Sequence, residues 1–327
     1  MPNLLDSILN LFRPARFPAD NATEPAQITR SKVLVIVYDP VIDTSTGATL
    51  SRKMNWHDTG DLLTHFMADM LEVSKGLVRY EVVQRINLNE FPAKVDGFRY
   101  TPKSFMDVWN RTTPPHMPQE VDYHAILKKF NILQRVARNE IDEVWLFGFP
   151  HAGFYESIMG GPGAFWCNSK PLTNTAASKR RFIIMGFSYE RYIGEMMESY
   201  GHRAESIMEK TFSNLTGESN LWKRFIRYDK TSPGKSACGN VHFAPNSQSD
   251  YDWGNSLPVQ SECYDWLLNF PNFKGDVRTV TSKEWGEGNI RAHHKWWFNH
   301  FPRVGGRRNG VHNNWWQYIA APQQVIV

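Results

Sequence analysis

Three apolar runs, Val33–Tyr38, Val144–Phe149 and Phe182–Phe187, contain no polar alternation. A run of that kind suits a strand covered on both faces, so the chain is constrained toward a sheet with helices packed above and below it. Each run stops at a loop that carries residues able to do chemistry: Asp39 after the first, His151 and Glu156 after the second, Tyr189 and Glu190 after the third. Open α/β sheets build their sites at the carboxyl ends of the strands. The layout therefore points to a place in the fold before it points to a reaction.

The segments between the runs fit the same architecture. Asp61–Val73 has Leu62, Leu63, Phe66, Met67, Met70 and Leu71 at helical spacing, and Tyr80–Ile86 reads as a further strand. Tyr123–Arg138 reads as one amphipathic helix, with Ile126, Leu127, Phe130, Leu133 and Val136 on its inner side. Asn87–Glu120, with Pro92, Pro102, Pro114, Pro115 and Pro118, has no sustained period and is expected to run over the sheet edge, covering a site. The alternation of strand and helix predicts an α/β fold: a mainly parallel open sheet flanked by helices, followed by an irregular, aromatic-rich C-terminal part. The expected division is an N-terminal helix and linker over 1–30, the sheet domain over 31–220, and a Trp-rich region over 221–327 packed on it.

Charge narrows the function. A formal net charge of +4 over 327 residues is mild, and only Lys179-Arg180-Arg181 and Arg307-Arg308 are clustered. Nucleic-acid steering needs a denser basic face, so no nucleic-acid partner is expected. Met1–Phe12 has a helical apolar pattern but carries Asp6 and no preceding basic segment. It is too short to span a bilayer, which leaves a packing helix or a surface-lying anchor with Arg13 and Arg16. Cys167, Cys238 and Cys263 show no CxxC pairing; a Cys238–Cys263 disulfide and three reduced thiols both fit the sequence. Gly160-Gly161-Pro162-Gly163 is not a phosphate loop, because no GKS/T follows and Pro162 removes a backbone N–H.

Two constellations carry chemistry. On the helix after Phe187, Glu195, Glu198, His202 and Glu205 share a narrow stripe opposite Ile193, Met196, Met197, Tyr200, Ala204, Ile207 and Met208. A solvated helix face gives the same pattern. Glu198, His202 and Glu205 nevertheless have the i, i+4, i+7 spacing that lets one face ligate a divalent ion, Zn or Mn, with a further ligand supplied from elsewhere. The second constellation lies in the C-terminal third, where eight of the 12 Trp residues fall at or after Trp222. His242, Asp252 and Trp253 there, Asn313 and Trp315 near the end, and Trp166 upstream combine ring faces with amides and acids in a way that suits sugar binding.

The strings DEVWLFGFPHAGFYES, GGPGAFWCNS, MGFSYER, GHRAESIM, CGNVHFAPNS, DYDWGN, HHKWW and NNWWQY resemble those of an uncharacterised family of mostly bacterial proteins, some carried beside extracellular modules. The likeness spans roughly Lys32 to Ile319 and implies no activity. It favours an extracellular setting, whereas the weak N-terminal signal favours the cytoplasm. The expectation is a hydrolase acting on a polymer, glycan or peptide, with Asp39, Glu156, Glu190, His151, His242 and Asp252 as catalytic candidates and Glu198, His202 and Glu205 as metal ligands. The alternative is a non-catalytic carbohydrate-binding protein using Trp166, Trp253, Asn313 and Trp315. Nothing in the sequence sets the oligomeric state.

Overall fold

The computed structural model describes residues 24–326; the helix expected over Met1–Phe12 lies outside them. The chain runs β1 (Thr29–Tyr38), α1 (Thr59–Val73), β2 (Val78–Leu88), α2 (Pro102–Trp109), α3 (Tyr123–Lys129), α4 (Ile132–Ala137), β3 (Glu143–Gly148), β4 (Ser157–Gly160), β5 (Phe182–Ser188) and α5 (Ile193–Thr211). It continues through α6 (Leu221–Phe225), α7 (Cys263–Asn269), α8 (Ile290–Asn299) and α9 (Trp316–Ala320), with two small antiparallel hairpins, Val259–Ser261 with Arg278–Val280 and Arg303–Arg308 with Val311–Asn314. The main sheet has the order β2-β1-β3-β5-β4. The first four strands in that order are parallel, and β4 pairs antiparallel with β5 at the edge. This is the mostly parallel α/β sheet that the apolar runs predict: Val33–Tyr38 and all of β3 are buried.

Three local readings are corrected. The single helix expected over Tyr123–Arg138 is two, α3 and α4, because Asn131 takes a left-handed conformation (φ 51°) that interrupts the helical path. The proline-rich excursion contains α2, started by the Thr101–Ser104 capping box with Pro102 in the first turn. The loop after β3 contains β4, whose four residues are too few to show a period.

The aromatic third is mainly core. Seven of its eight Trp residues are buried, all except Trp296. Trp222, Phe225, Trp266, Trp297, Phe301 and Trp315 form a continuous set of edge-on and tilted ring contacts. Their side chains and those of the sheet belong to one apolar cluster. Cys167, Cys238 and Cys263 are buried and unpaired. The two arginines of the Lys179–Arg181 cluster are structural: Arg180 binds the Ile141 carbonyl and Asp142, and Arg181 binds the Val325 carbonyl.

One buried ion pair joins these layers. Arg203 on α5 donates Nη1 to Glu143 Oε2 (2.6 Å) and Nη2 to Glu143 Oε1 (2.7 Å) at the start of β3. Its remaining donors reach the Ile319 carbonyl on α9. Ser31 Oγ and Trp145 Nε1 also donate to the Glu143 carboxylate. Both charged side chains are buried. Removing one partner strands the other in a medium that cannot solvate it. Arg203→Ala is expected to cost about 3–5 kcal/mol in urea unfolding; a loss under about 1 kcal/mol, the range of surface pairs, would disprove this account.

His300, at the end of α8, is buried with Nδ1 on the Trp296 carbonyl (2.7 Å). Burial lowers its pKa to about 4, with that hydrogen bond working in the opposite direction. The folded pKa lies below the ordinary value of 6.5, so the neutral ring contributes no penalty above 6.5. Stability falls as pH drops from 6.5 toward 4, because the unfolded chain takes up a proton that the folded one refuses. At pH 5 this residue accounts for about 2 kcal/mol of destabilisation relative to neutral pH. Urea unfolding at pH 7 and pH 5 should show a smaller difference for His300→Gln than for the parent protein; equal differences would refute the assignment.

Candidate metal centre

Helix α5 begins just past the carboxyl end of β5, with the Glu195 carboxylate accepting from the Tyr192 N–H (3.2 Å). Its polar stripe does not face open water. Glu198 is buried, and His202 and Glu205 are half-buried. The segment around His242 lies across this stripe, and Gly201 allows the approach: a Cβ there would meet Val241 Cγ2 at 2.5 Å. Glu156 arrives from the loop between β3 and β4, and its carbonyl accepts from the Gly186 N–H on β5 (3.1 Å). Any side chain at Gly186 would strike the Tyr155 carbonyl at 2.4 Å, so the glycine lets this loop lie on the strand.

These elements bring three ligand atoms together. Glu198, His202 and His242 each offer one, all within 4.8 Å of one another. His202 Nε2 and His242 Nε2 are 3.1 Å apart, and His242 Nε2 is 3.2 Å from Glu198 Oε1. A tetrahedral zinc with bonds of about 2.0–2.1 Å holds its nitrogens about 3.3 Å apart. The observed spacing is close to that value.

The outer atoms fix the tautomers. His202 Nδ1 meets Glu205 Oε2 at 3.0 Å, and His242 Nδ1 meets Asp250 Oδ1 at 2.9 Å. Ionised carboxylates only accept, so both Nδ1 atoms carry hydrogen, and Nε2 atoms without a proton would turn their lone pairs inward. Metal-bound histidines are typically oriented by such carboxylates. Glu205 is itself held by the Val241 N–H on its other oxygen (3.1 Å). Two imidazole lone pairs and a carboxylate converging on one point require a positive charge between them, either a proton or a metal ion.

The electrostatics agree. Among the described residues, Glu156, Glu198, Glu205 and Asp250 form ion pairs with His202 and His242 and with no Lys or Arg. His242 is raised above its usual pKa chiefly by the hydrogen bond to Glu198. At His202 burial lowers the pKa, but Glu205, Glu156 and Glu198 together raise it further. Burial raises Glu156, with the nearby charge of His202 partly offsetting it. Burial also pushes Glu198 upward, yet hydrogen bonds from His242 and Tyr251 leave it below the usual carboxylate range.

Glu156 Oε2 lies 3.9 Å from His202 Nε2 and accepts from Asn168 Nδ2 (2.5 Å). It opens into a cleft of about 380 Å³ shared with Glu198, Tyr251, His151 and Arg191, beside the ends of β3 and β5. His151 lines that cleft with a left-handed backbone (φ 67°) and makes no contact with the cluster. Comparisons with family models, with curated proteins and with solved structures returned no match, so the string resemblance gains no support and the reading rests on geometry.

The remaining sequence candidates lie elsewhere. Asp39 is taken up by the Ser51 N–H and hydroxyl and by the Tyr189 hydroxyl. Glu190 faces Arg191 at 3.7 Å and is outside the cleft. Asp252 accepts from the Gln248 N–H and Asn255 Nδ2, closing a turn. Trp253 and Trp315 are buried, and Asn313 is buried with its amide on the Gly305 carbonyl. These three have no surface to offer a sugar. Trp166 alone of the four binding candidates is exposed, beside Glu205 in an apolar hollow. Sequence reasoning noted Asp250 among the acids beside Asp252 but gave no role to Asp250, Tyr251 or Asn168.

Purified without chelators, the protein is expected to carry or take up one equivalent of Zn²⁺ by elemental mass spectrometry. His202→Ala with His242→Ala should abolish uptake, and Glu205→Gln should weaken it about 10–100-fold. Unchanged uptake in the double variant would place any metal elsewhere.

Proposed function

We propose that this protein is a metal-dependent hydrolase that cleaves an amide or ester bond in an extended substrate lying in the cleft beside β3 and β5. What carries the reading is the pair of histidines whose Nδ1 atoms are held by Glu205 and Asp250 while their Nε2 atoms converge with Glu198. Two histidines and one glutamate form a ligand set that catalytic zinc sites use, leaving a further position for water or substrate. A divalent ion held there would lower the pKa of a bound water and polarise a carbonyl oxygen.

The protein's own groups divide the rest of the work. Glu156 is close enough to the ligand atoms to take a proton from that water and hand it to the leaving group. Burial favours its neutral form, which makes the proton shuttle easier near neutral pH. Asn168 holds its carboxylate in place. The burial of Trp253, Trp315 and Asn313 leaves the glycan-binding alternative without most of its residues, and the metal-assisted branch of the hydrolase expectation is favoured over a purely carboxylate one.

The test is turnover of fluorogenic peptide, acyl-ester and N-acyl substrates by zinc-loaded protein. Glu156→Gln is expected to keep the metal and lose about 10²–10⁴-fold in rate. A metal-loaded protein inactive across all three classes, or a Glu156→Gln variant with undiminished rate, would refute the proposal.

A further inference from the structure

Tyr251 stands where a fourth ligand would. Its Oη lies 2.6 Å from Glu198 Oε1 and 3.1 Å from His242 Nε2, within hydrogen-bond reach of two of the three converging ligand atoms. The ring leans on the His242 imidazole, with centroids 4.4 Å apart. Asp250 holds His242 at Nδ1, while Tyr251 Oη donates to Glu198 and lies 3.1 Å from His242 Nε2.

The placement is built by the loop. Tyr251 has φ 58°, a left-handed backbone that a bulky residue adopts only under constraint. The constraint is visible: the Tyr251 N–H donates to the His242 carbonyl (3.2 Å), and Asp252 closes the turn onto Gln248 and Asn255. The residue is 49% exposed, so rotation about its side-chain bonds can carry Oη into the cleft without disturbing the core. Tyr251 also lines that cleft with Glu156 and Glu198.

We propose that in the resting metal centre Tyr251 Oη is a fourth protein ligand, occupying the position that water or a substrate carbonyl takes when the phenol leaves. This rests on the metal-centre reading above. On coordination the phenol releases its proton to solvent and the oxygen bonds to the ion; on leaving it regains a proton and faces the substrate oxygen as a donor.

The probe is Cu²⁺, because a tyrosine oxygen bound to it gives a phenolate-to-copper charge-transfer band in the visible that histidine and carboxylate ligands do not. Wild-type protein and Tyr251→Phe are each loaded with one equivalent, with stoichiometry checked by elemental mass spectrometry. The expected result is a band in the wild type, its loss in Tyr251→Phe at equal stoichiometry, and a fall of about tenfold in Zn²⁺ affinity for the variant. If both proteins hold one Cu²⁺ with superimposable spectra, Tyr251 is not a ligand, while the centre itself stands. If the wild type binds neither Cu²⁺ nor Zn²⁺, the metal-centre reading fails and this inference with it.

Discussion

The Glu143–Arg203 pair is the constraint from which the rest of the molecule can be followed. It is bidentate, buried, and saturated by Ser31, Trp145 and the Ile319 carbonyl. Arg203 is the residue after His202. A guanidinium fork that fits only one carboxylate geometry therefore sets both the rotation and the height of α5 relative to β3. Hydrophobic packing alone would tolerate small slips of this helix, since apolar contacts are not directional. The ion pair does not, and the stripe holding Glu198, His202 and Glu205 inherits its fixed orientation.

The same logic explains how the sheet and the aromatic third are held together around the site. Arg203 reaches α9, and Gly201, the residue before His202, lets the Val241 segment press against the helix. On the outer side, Arg291 of α8 forks onto the buried Asp69 of α1 at 2.7 and 2.9 Å. The aromatic third is thus clamped to the sheet by charges at two places and filled by Trp rings between them. Its rings serve as bulk that keeps His242 opposite His202.

The sheet was legible because unbroken apolar runs have few other solutions, and β1, β3 and β5 fall where those runs fall. The nearness of Glu198 and His202 was legible too, since they lie on one helix and their spacing reports a common face. His242 could be named as chemically competent but could not be paired with His202, since nothing in sequence measures an approach across 40 residues. Asp250 and Tyr251 were hidden behind Asp252, whose carboxylate turns out to build the turn that presents them. Trp253 and Trp315 misled for a simple reason: a Trp buried in a core and a Trp offered to a sugar have the same neighbours in sequence. The break at Asn131 and the short β4 were invisible because single left-handed residues and four-residue strands leave no period.

The electrostatics of the centre give its arrangement a thermodynamic direction. Glu156, Glu198, Glu205 and Asp250 surround two imidazoles without a Lys or Arg ion pair among them, and like charges this close in a partly desolvated site repel strongly. Protonation of His202 and His242 relieves part of that repulsion, but it places two cations with nitrogens 3.1 Å apart, exchanging one repulsion for another. A single divalent ion held between the Nε2 atoms would remove both conflicts at once, because the rings would stay neutral and the carboxylates would keep a counter-charge. Binding of such an ion to the folded chain alone would add directly to folding stability. The repulsion among these carboxylates and any affinity of the cluster for a cation would be two sides of the same free energy.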